Sequence, residues 1–268
     1  MAHLAALVLA GRRNAEDPLT RSRGATHRAT LEVGGTPMLL RVVRALRASA
    51  GIGGVTISID DRGALDGVPE LKAALAAGDL LVHRSLDSPS RSVSDALAGC
   101  APDETLLVTT ADHALLTPEI VEHFTAAAAH SEADLLVGVV SRSLLDARYP
   151  ETTRTYLRMR GEAWTGANLF CFRTDRARRA ADFWVRVEHQ RKRPWRLAWA
   201  FGPTALILFL LRRLDLDAAL ERASRAIGAR IRAVPLPFPE AAIDVNRVTD
   251  LVLAERILAE REVRANGG

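Results

Sequence analysis

Four short stretches of the sequence carry side chains that could act on a phosphorylated ligand. The first, "LVLAGRR" from Leu7 to Arg13, is an apolar run that stops at a glycine and two arginines. Glycine lets a backbone turn closely around a ligand, and a guanidinium offers paired donors to phosphate oxygens. Gly11 with Arg12 or Arg13 is therefore a candidate to hold a phosphate chain, Leu9 and Ala10 leading into it as nucleotide-binding candidates; a tight turn after a strand is the plainer alternative. The second is Asp112, directly after "LLVTTA". A carboxylate at a strand end suits Mg²⁺, which takes one or two carboxylates and completes its shell with phosphate oxygens and water. A capping or turn aspartate is the competing reading. Asp244 in "AAIDVN" repeats the pattern near the other end of the chain. Asp112 and Asp244 could share one cation if both of their strands are central in a sheet. The fourth stretch, "SLDSPSRSVSDAL", offers Ser88, Ser90, Ser92 and Ser94 around a turn into a helix. Hydroxyls and amides there suit a nucleotide base or phosphate, and ordinary capping accounts for one or two of them.

Other polar groups read more blandly. His113 either tunes Asp112 or is simply a packed or surface ring. Arg176, Arg178, Arg179, Arg191, Lys192, Arg193 and Arg196 form a basic cluster that could hold an anionic acceptor or be a solvated helix face. Trp195 and Trp199 open the apolar run "LAWAFGPTALILFLL". Aromatic and basic residues beside an apolar helix suit a membrane surface or a lipid-linked substrate, but a core helix kinked at Pro203 is the expectation. No Ser, Cys or His arrangement makes a convincing nucleophilic triad.

These groups need a scaffold that gathers strand ends. Apolar runs of strand length alternate with amphipathic segments of helix length, the pattern of βαβ units on a parallel sheet. Strands are expected at 4–10, 54–60, 80–84, 105–112 and 133–140. Helices are expected at 36–49 with Pro37 near the first turn, at 69–77, from about Ser92 to Gly99, and after a Thr117 cap with Pro118 following. Further on, "TYLRM" and "ANLFCFR" read as strands flanking a turn at "GEAWTG". Residues 174–190 and "DLDAALERASRAIG" read as helices, and "ARIRAVPLPF" as a strand. "AAIDVN" reads as a short strand before a terminal helix capped by Thr249. In open α/β sheets, ligands bind beyond the carboxyl ends of the strands, where Gly11, Asp112 and Asp244 fall on this reading.

Bulk properties narrow the field. With 268 residues, 48% hydrophobic and 25% charged, the chain can bury a large core. No repeat, linker or composition break divides it. One domain over 1–268 is the expectation, with a nucleotide-binding half to about 140, an acceptor-binding elaboration to about 240 and a C-terminal metal loop and helix. The net charge of +4 is spread along the chain, which disfavours nucleic acid as a partner. Cys100 and Cys171 lack ligand spacing and suit a reducing cytoplasm as small core residues. The first apolar run has no basic region before it and ends in arginines, unlike a secretion signal. The run at 197–211 falls short of the roughly 20 residues that span a bilayer.

In this order, "LVLAGRR", "HRATLEVGGTPMLLRVV", "TTADHALLTPEIV", "GANLFCF" and "IDVNRVTDLVLAERIL" resemble the MobA-like nucleotidyltransferases. That family includes the molybdenum-cofactor nucleotidyltransferases and relatives that make nucleotide-diphosphate-activated metabolites. The resemblance runs from Leu7 to Leu258. It implies a three-layer α/β/α, Rossmann-like sheet, mostly parallel, of the GT-A type. By the resemblance, the loop holding Ala10, Gly11, Arg12 and Arg13 wraps a triphosphate, Asp112 binds Mg²⁺ and Asp244 is the second acid. Ser88 to Ser92 occupies the place of a base-recognition turn, and Asn168 lies near the acceptor. Relatives carry a lysine in a "K-x-L-x-x-V-x-G" element where this chain has Arg28, which would join Arg12 and Arg13 on the triphosphate. The loop from Arg12 to His27 lacks the "GxSxRMG" spacing of the best-known members, and Ala114 stands where many have proline. The implied reaction is attack by an acceptor phosphate or phosphonate oxygen on the α-phosphorus of a nucleoside triphosphate, with release of pyrophosphate. Cytidine is the base borrowed from relatives with similar loops. Two other classes share the fold: a GT-A glycosyltransferase, usually marked by a DxD that "DHA" lacks, and a non-catalytic nucleotide-binding protein.

Overall fold

The computed structural model describes residues 4–12, 18–101, 104–188 and 213–266. Arg13 and 189–212, with Arg191, Lys192, Arg193, Trp195, Arg196 and Trp199, lie outside the described residues. In chain order come β1 (Leu4–Leu9), α1 (Pro18–Ser22), β2 (Glu32–Val33), β3 (Thr36–Pro37), α2 (Met38–Ala48), β4 (Ile52–Ile59) and α3 (Pro69–Ala76). Next are β5 (Leu80–Arg84), α4 (Pro89–Gly99), β6 (Leu106–Thr110), α5 (Pro118–Ala129), β7 (Leu135–Ser141) and α6 (Arg142–Arg148). They are followed by β8 (Leu157–Arg158), β9 (Ala163–Phe172), α7 (Arg178–Glu188), α8 (Leu216–Ile227), β10 (Ile231–Pro235) and α9 (Val248–Asn266). Mostly parallel strands flanked by helices make this an α/β, Rossmann-like fold.

Two compact units interleave along the sequence. One comprises Met1–Leu86, Thr109–Glu122 and Ile243–Gly268; the other comprises Asp87–Val108 and His123–Ala242. In the first unit β4 pairs in parallel with β1 on one side, Val8 opposite Ile57, and with β5 on the other, Ile57 opposite Val82. Leu7, Val8, Ile57 and Ile59 are buried, as expected of strands covered on both faces. Helix α2 lays Leu39, Val42, Val43 and Leu46 into this core and leaves Arg44 and Arg47 outside. Ahead of it, β2 and β3 form a hairpin that turns through Gly34 (φ 56°) and Gly35 (φ 68°), a left-handed pair that glycine supplies without strain. This hairpin was not evident in the apolar pattern because its strands are only two residues long.

In the second unit β10 pairs in parallel with β7, while β9 runs antiparallel to both β7 and β6. Pairing between β7 and β9 slips after Val137, so that β9 carries extra residues opposite Gly138. Asn168 sits in that bulge with φ 50°. Several expectations shift here. Trp164 and Thr165 belong to β9, because the chain turns earlier, with Met159 N donating to Glu162 O (3.0 Å). Helix α4 begins at Pro89, three residues sooner than the apolar pattern suggests, because Ser88 caps it. Helix α6 was not anticipated at all. The segment "AAIDVN" is not a strand: a 3-10 turn ends at Ala242 and irregular chain follows to α9. Thr249 is already inside α9, and Asp250 supplies the capping carboxylate instead. Both cysteines are free, and burial pushes the Cys171 thiol up to about 12. Among the described residues no helix is long and apolar enough to cross a membrane.

Candidate functional site

The first unit gathers its polar residues at the carboxyl ends of β1, β4 and β6. Ala10 continues the ladder past β1, its N–H donating to Ser58 O (2.8 Å). At Gly11 a side chain has no room: a Cβ would stand 2.7 Å from Ser85 Oγ. Arg12 then meets Asp60, the residue after β4. Its main-chain N–H donates to Asp60 Oδ1 (3.0 Å) and its Nε–H to Asp60 Oδ2 (2.8 Å). His27, 1% exposed, reaches the same carboxylate, with Nε2 3.0 Å from Oδ1. The other ring nitrogen, Nδ1, accepts from Ala29 N–H (3.1 Å), so the proton must sit on Nε2 and be donated to Asp60. Burial by itself would raise the Asp60 carboxyl; the hydrogen bonds from Arg12 and His27 outweigh it and hold the group far below the usual carboxylate range.

His27 also caps a single 3-10 turn from Arg28 to Thr30, which carries Arg28 toward the C-terminal segment. Arg28 Nη2 donates to Val245 O (2.8 Å) and to Asn246 Oδ1 (2.7 Å), and stands 3.7 Å from Asp112 Oδ2. Asp112 follows β6, whose end is set beside β1 by Ala111 N–H donating to Leu9 O (2.9 Å). Its side chain is 12% exposed. Val245 N–H donates to Asp112 O (2.9 Å), so the segments bearing Asp112 and Asp244 are hydrogen-bonded to each other. Asn246 Nδ2 in turn donates to Asp244 Oδ2. Asp250 Oδ2 accepts from the main-chain N–H groups of Asn246 (3.1 Å) and Arg247 (2.9 Å), the half of a capping box that fixes the start of α9. Asp112, Asp244 and Arg28 thus stand on adjoining segments. The two carboxylates could hold a divalent cation together with ligand oxygens. His113 is 1% exposed, its Nδ1 3.5 Å from Thr109 Oγ1.

Ser88, Ser90, Ser92 and Asn168 belong to the second unit. Ser88 Oγ accepts from Arg91 N–H (3.3 Å), and Ser92 Oγ donates to Ser88 O (3.1 Å). Ser90, fully buried, donates to Glu188 of α7. Each hydroxyl therefore has a partner within the unit, as capping and packing require. The bulge presents Asn168 in a left-handed conformation rare for any residue but glycine, asparagine and aspartate.

Four residues were missed from sequence: Asp60, His27, Asn246 and Glu188. Asp60 had a legible signal, since "SID" ends an apolar strand in an acid as "TTAD" does. Asn246 lay inside the quoted "AAIDVN" without a role. Nothing local marked His27 or Glu188, because each acts on a residue distant in sequence.

Comparison with known proteins bears on this arrangement. A family model described as the MobA-like NTP transferase domain matches residues 6–226. A solved structure described as a hypothetical transferase from Thermus thermophilus is 33% identical with a TM-score of 0.76, covering 93% of this chain and 99% of that one. A CMP:2-keto-3-deoxy-manno-octonic acid synthetase complexed with CTP shares the fold at 13% identity, TM-score 0.57, over 97% of this chain and 100% of its own. So does a 4-diphosphocytidyl-2C-methyl-D-erythritol synthase from Anaerococcus prevotii DSM 20548, at 10% identity and TM-score 0.55, over 96% and 99%. No curated protein matches the sequence.

Proposed function

Since the chain belongs to the MobA-like NTP transferase family, we propose that it transfers a nucleoside monophosphate, with CMP as the first choice, from an NTP to a phosphorylated small-molecule acceptor, releasing pyrophosphate. The observation that carries this reading is the joining of the Asp112 and Asp244 segments through Val245 N–H and Asp112 O, with Arg28 bridging both. It sets the segments that carry the two carboxylates side by side, with the Arg28 guanidinium, near the carboxyl end of β6, the kind of place where α/β sheets bind ligands.

The acceptor's phosphate oxygen is already anionic and needs no protein nucleophile. It forms a bond to the α-phosphorus while the bond from that phosphorus to the α,β-bridging oxygen breaks, and pyrophosphate leaves with the electron pair. The chain's part is alignment and charge neutralisation. Arg12 and Arg13, after the close turn at Gly11, would hold the triphosphate and the departing pyrophosphate. Arg28 would orient the carboxylate pair and face the same charge. Asp112 and Asp244 would hold Mg²⁺, which their hard-oxygen donors fit, its other ligands coming from phosphate and water. When bound, that ion supplies positive charge to the phosphate oxygens. In the second unit the turn at Ser88, Ser90 and Ser92 would meet the base through its main chain, and Asn168 the acceptor.

Pyrophosphate release tests the reading, measured with each of the four NTPs, Mg²⁺ and a panel of phosphorylated metabolites. Release that needs both an NTP and an acceptor is expected. Consumption of a nucleotide sugar would instead favour glycosyl transfer, and NTP binding without turnover on any acceptor a non-catalytic role.

A further inference from the structure

We infer that Asp60, backed by His27, is a positioning residue that sets Arg12 for the triphosphate, an inference that rests on the reading of the site given above. A carboxylate beside a polyanion site is costly unless it acts through something else. Here the hydrogen bonds described for Asp60 go to Arg12 and His27. One oxygen takes the main-chain N–H of Arg12 and the ring N–H of His27, and the other takes Arg12 Nε–H. Main chain and side chain of the same residue are thereby fixed on one group, which removes rotamer freedom that a phosphate would otherwise have to freeze on binding. The Nε edge of the guanidinium is spent on Asp60. Among the described residues the Nη groups make no hydrogen bond; Nη2 pairs with Asp61 Oδ2 at 3.7 Å, longer than a hydrogen bond, so both can still donate to an anion.

His27 explains why this pair differs from an ordinary surface ion pair. Exposed pairs are weak because both side chains stay mobile. Asp60 is one-third exposed, but the ring behind it is 1% exposed and locked in tautomer by Ala29 N–H. The hydrogen bonds from Arg12 and His27 also hold this carboxyl well below the usual carboxylate range, so its hold on Arg12 does not relax near neutrality.

Two simple ideas make opposite predictions for Asp60→Asn. If only net charge mattered, removing a negative charge would tighten NTP binding. If Asp60 positions Arg12, binding weakens, since the amide presents a donor to part of the Arg12 fork. Calorimetric titration with each of the four NTPs in the presence of Mg²⁺ decides, using wild type, Asp60→Asn, Arg12→Ala and the double variant, all checked for cooperative thermal melting. For the NTP that wild type binds best, Asp60→Asn should raise Kd about tenfold, the order lost with one charge-assisted hydrogen bond. In turnover, KM for the NTP should rise with kcat changed much less. In the Arg12→Ala background Asp60→Asn should add nothing, a coupling that a merely structural role does not produce. His27→Gln approaches the same carboxylate from behind and should weaken binding in the same direction, which keeps the test decisive if Asp60→Asn does not fold. Unchanged or tighter binding in Asp60→Asn, or additive effects with Arg12→Ala, overturns the inference while leaving the proposed function intact. Failure of wild type to bind any of the four NTPs overturns both.

Discussion

Replacing Gly11 by alanine puts a methyl group where the fold has no space for one. Its Cβ would lie 2.7 Å from Ser85 Oγ and 3.1 Å from Ser85 Cβ, against about 3.5–4.0 Å for an unstrained carbon contact. Ser85 cannot step aside freely. Its N–H is bonded to Ile59 O (3.0 Å), which ties it to the end of β4, and its Oγ is buried with no hydrogen-bond partner among the described residues. Relief must come from turning the hydroxyl and shifting the loop outward. Overpacking of this kind costs about 1–3 kcal/mol. At about 2–4 °C per kcal/mol for a chain of this size, thermal melting of Gly11→Ala should fall by roughly 4–8 °C for a mid-range cost. Ser85→Ala in the same chain removes the 2.7 Å contact and leaves the 3.1 Å one, so the double variant should recover more than half of the loss. The assay is a melting series of the four proteins, with NTP binding alongside, since a displaced loop carries Arg12 with it. Gly11→Ala melting within 1 °C of wild type, or no recovery on adding Ser85→Ala, would refute the close-approach argument.

Arg28→Met removes both donors to Val245 O and Asn246 Oδ1. Urea unfolding should show a loss of about 2 kcal/mol, with a larger effect on turnover; wild-type stability would exclude Arg28 as the clamp on this loop. At Asn168 the left-handed backbone favours glycine next to asparagine. Asn168→Gly should therefore melt close to wild type, whereas Asn168→Val should cost about 1–3 kcal/mol, and equal melting of the two would contradict the bulge geometry. Asp134 is buried, which by itself would raise its carboxyl, but Arg230 N–H and Thr174 Oγ1–H donate to it and hold it below its ordinary value. A depressed carboxyl stabilises the fold fully above the unfolded value of about 3.9 and loses that contribution as pH falls through the folded one. Urea midpoints of Asp134→Asn should thus lie below wild type at pH 7 and converge with it below about pH 4; a constant gap would show that the carboxylate is not the source.

Strands β1, β4 and β6 and the start of α5 are legible because their signals are local. Continuous apolar runs mark the strands, and a threonine before a proline marks the helix start. What escaped was set by contacts distant in sequence. The segment "AAIDVN" is apolar enough to read as a strand, yet its main chain is spent on Asp112 O and Arg28 rather than on a ladder. The string "GEAWTG" reads as a turn, whereas pairing with Ser141 extends β9 through Trp164. A strand-end position is legible for Asp112, just after β6, and equally for Asp60, which ends its strand in the same way. Charge and resemblance point Arg28 toward a phosphate, while its bonds to Val245 and Asn246, far along the chain, leave no mark in the spacing. Residues that act through other residues, His27 and Asn246 among them, leave no periodic trace.

The most direct test of nucleotidyl transfer at the Asp112 and Asp244 site is ³¹P NMR of wild type and Asp112→Ala, each with an NTP, Mg²⁺ and a phosphorylated acceptor. For wild type the account predicts a new pair of coupled pyrophosphate-ester resonances, growing in step with free pyrophosphate. For folded Asp112→Ala it predicts neither. Release of orthophosphate alone, or unchanged turnover in Asp112→Ala, would contradict it.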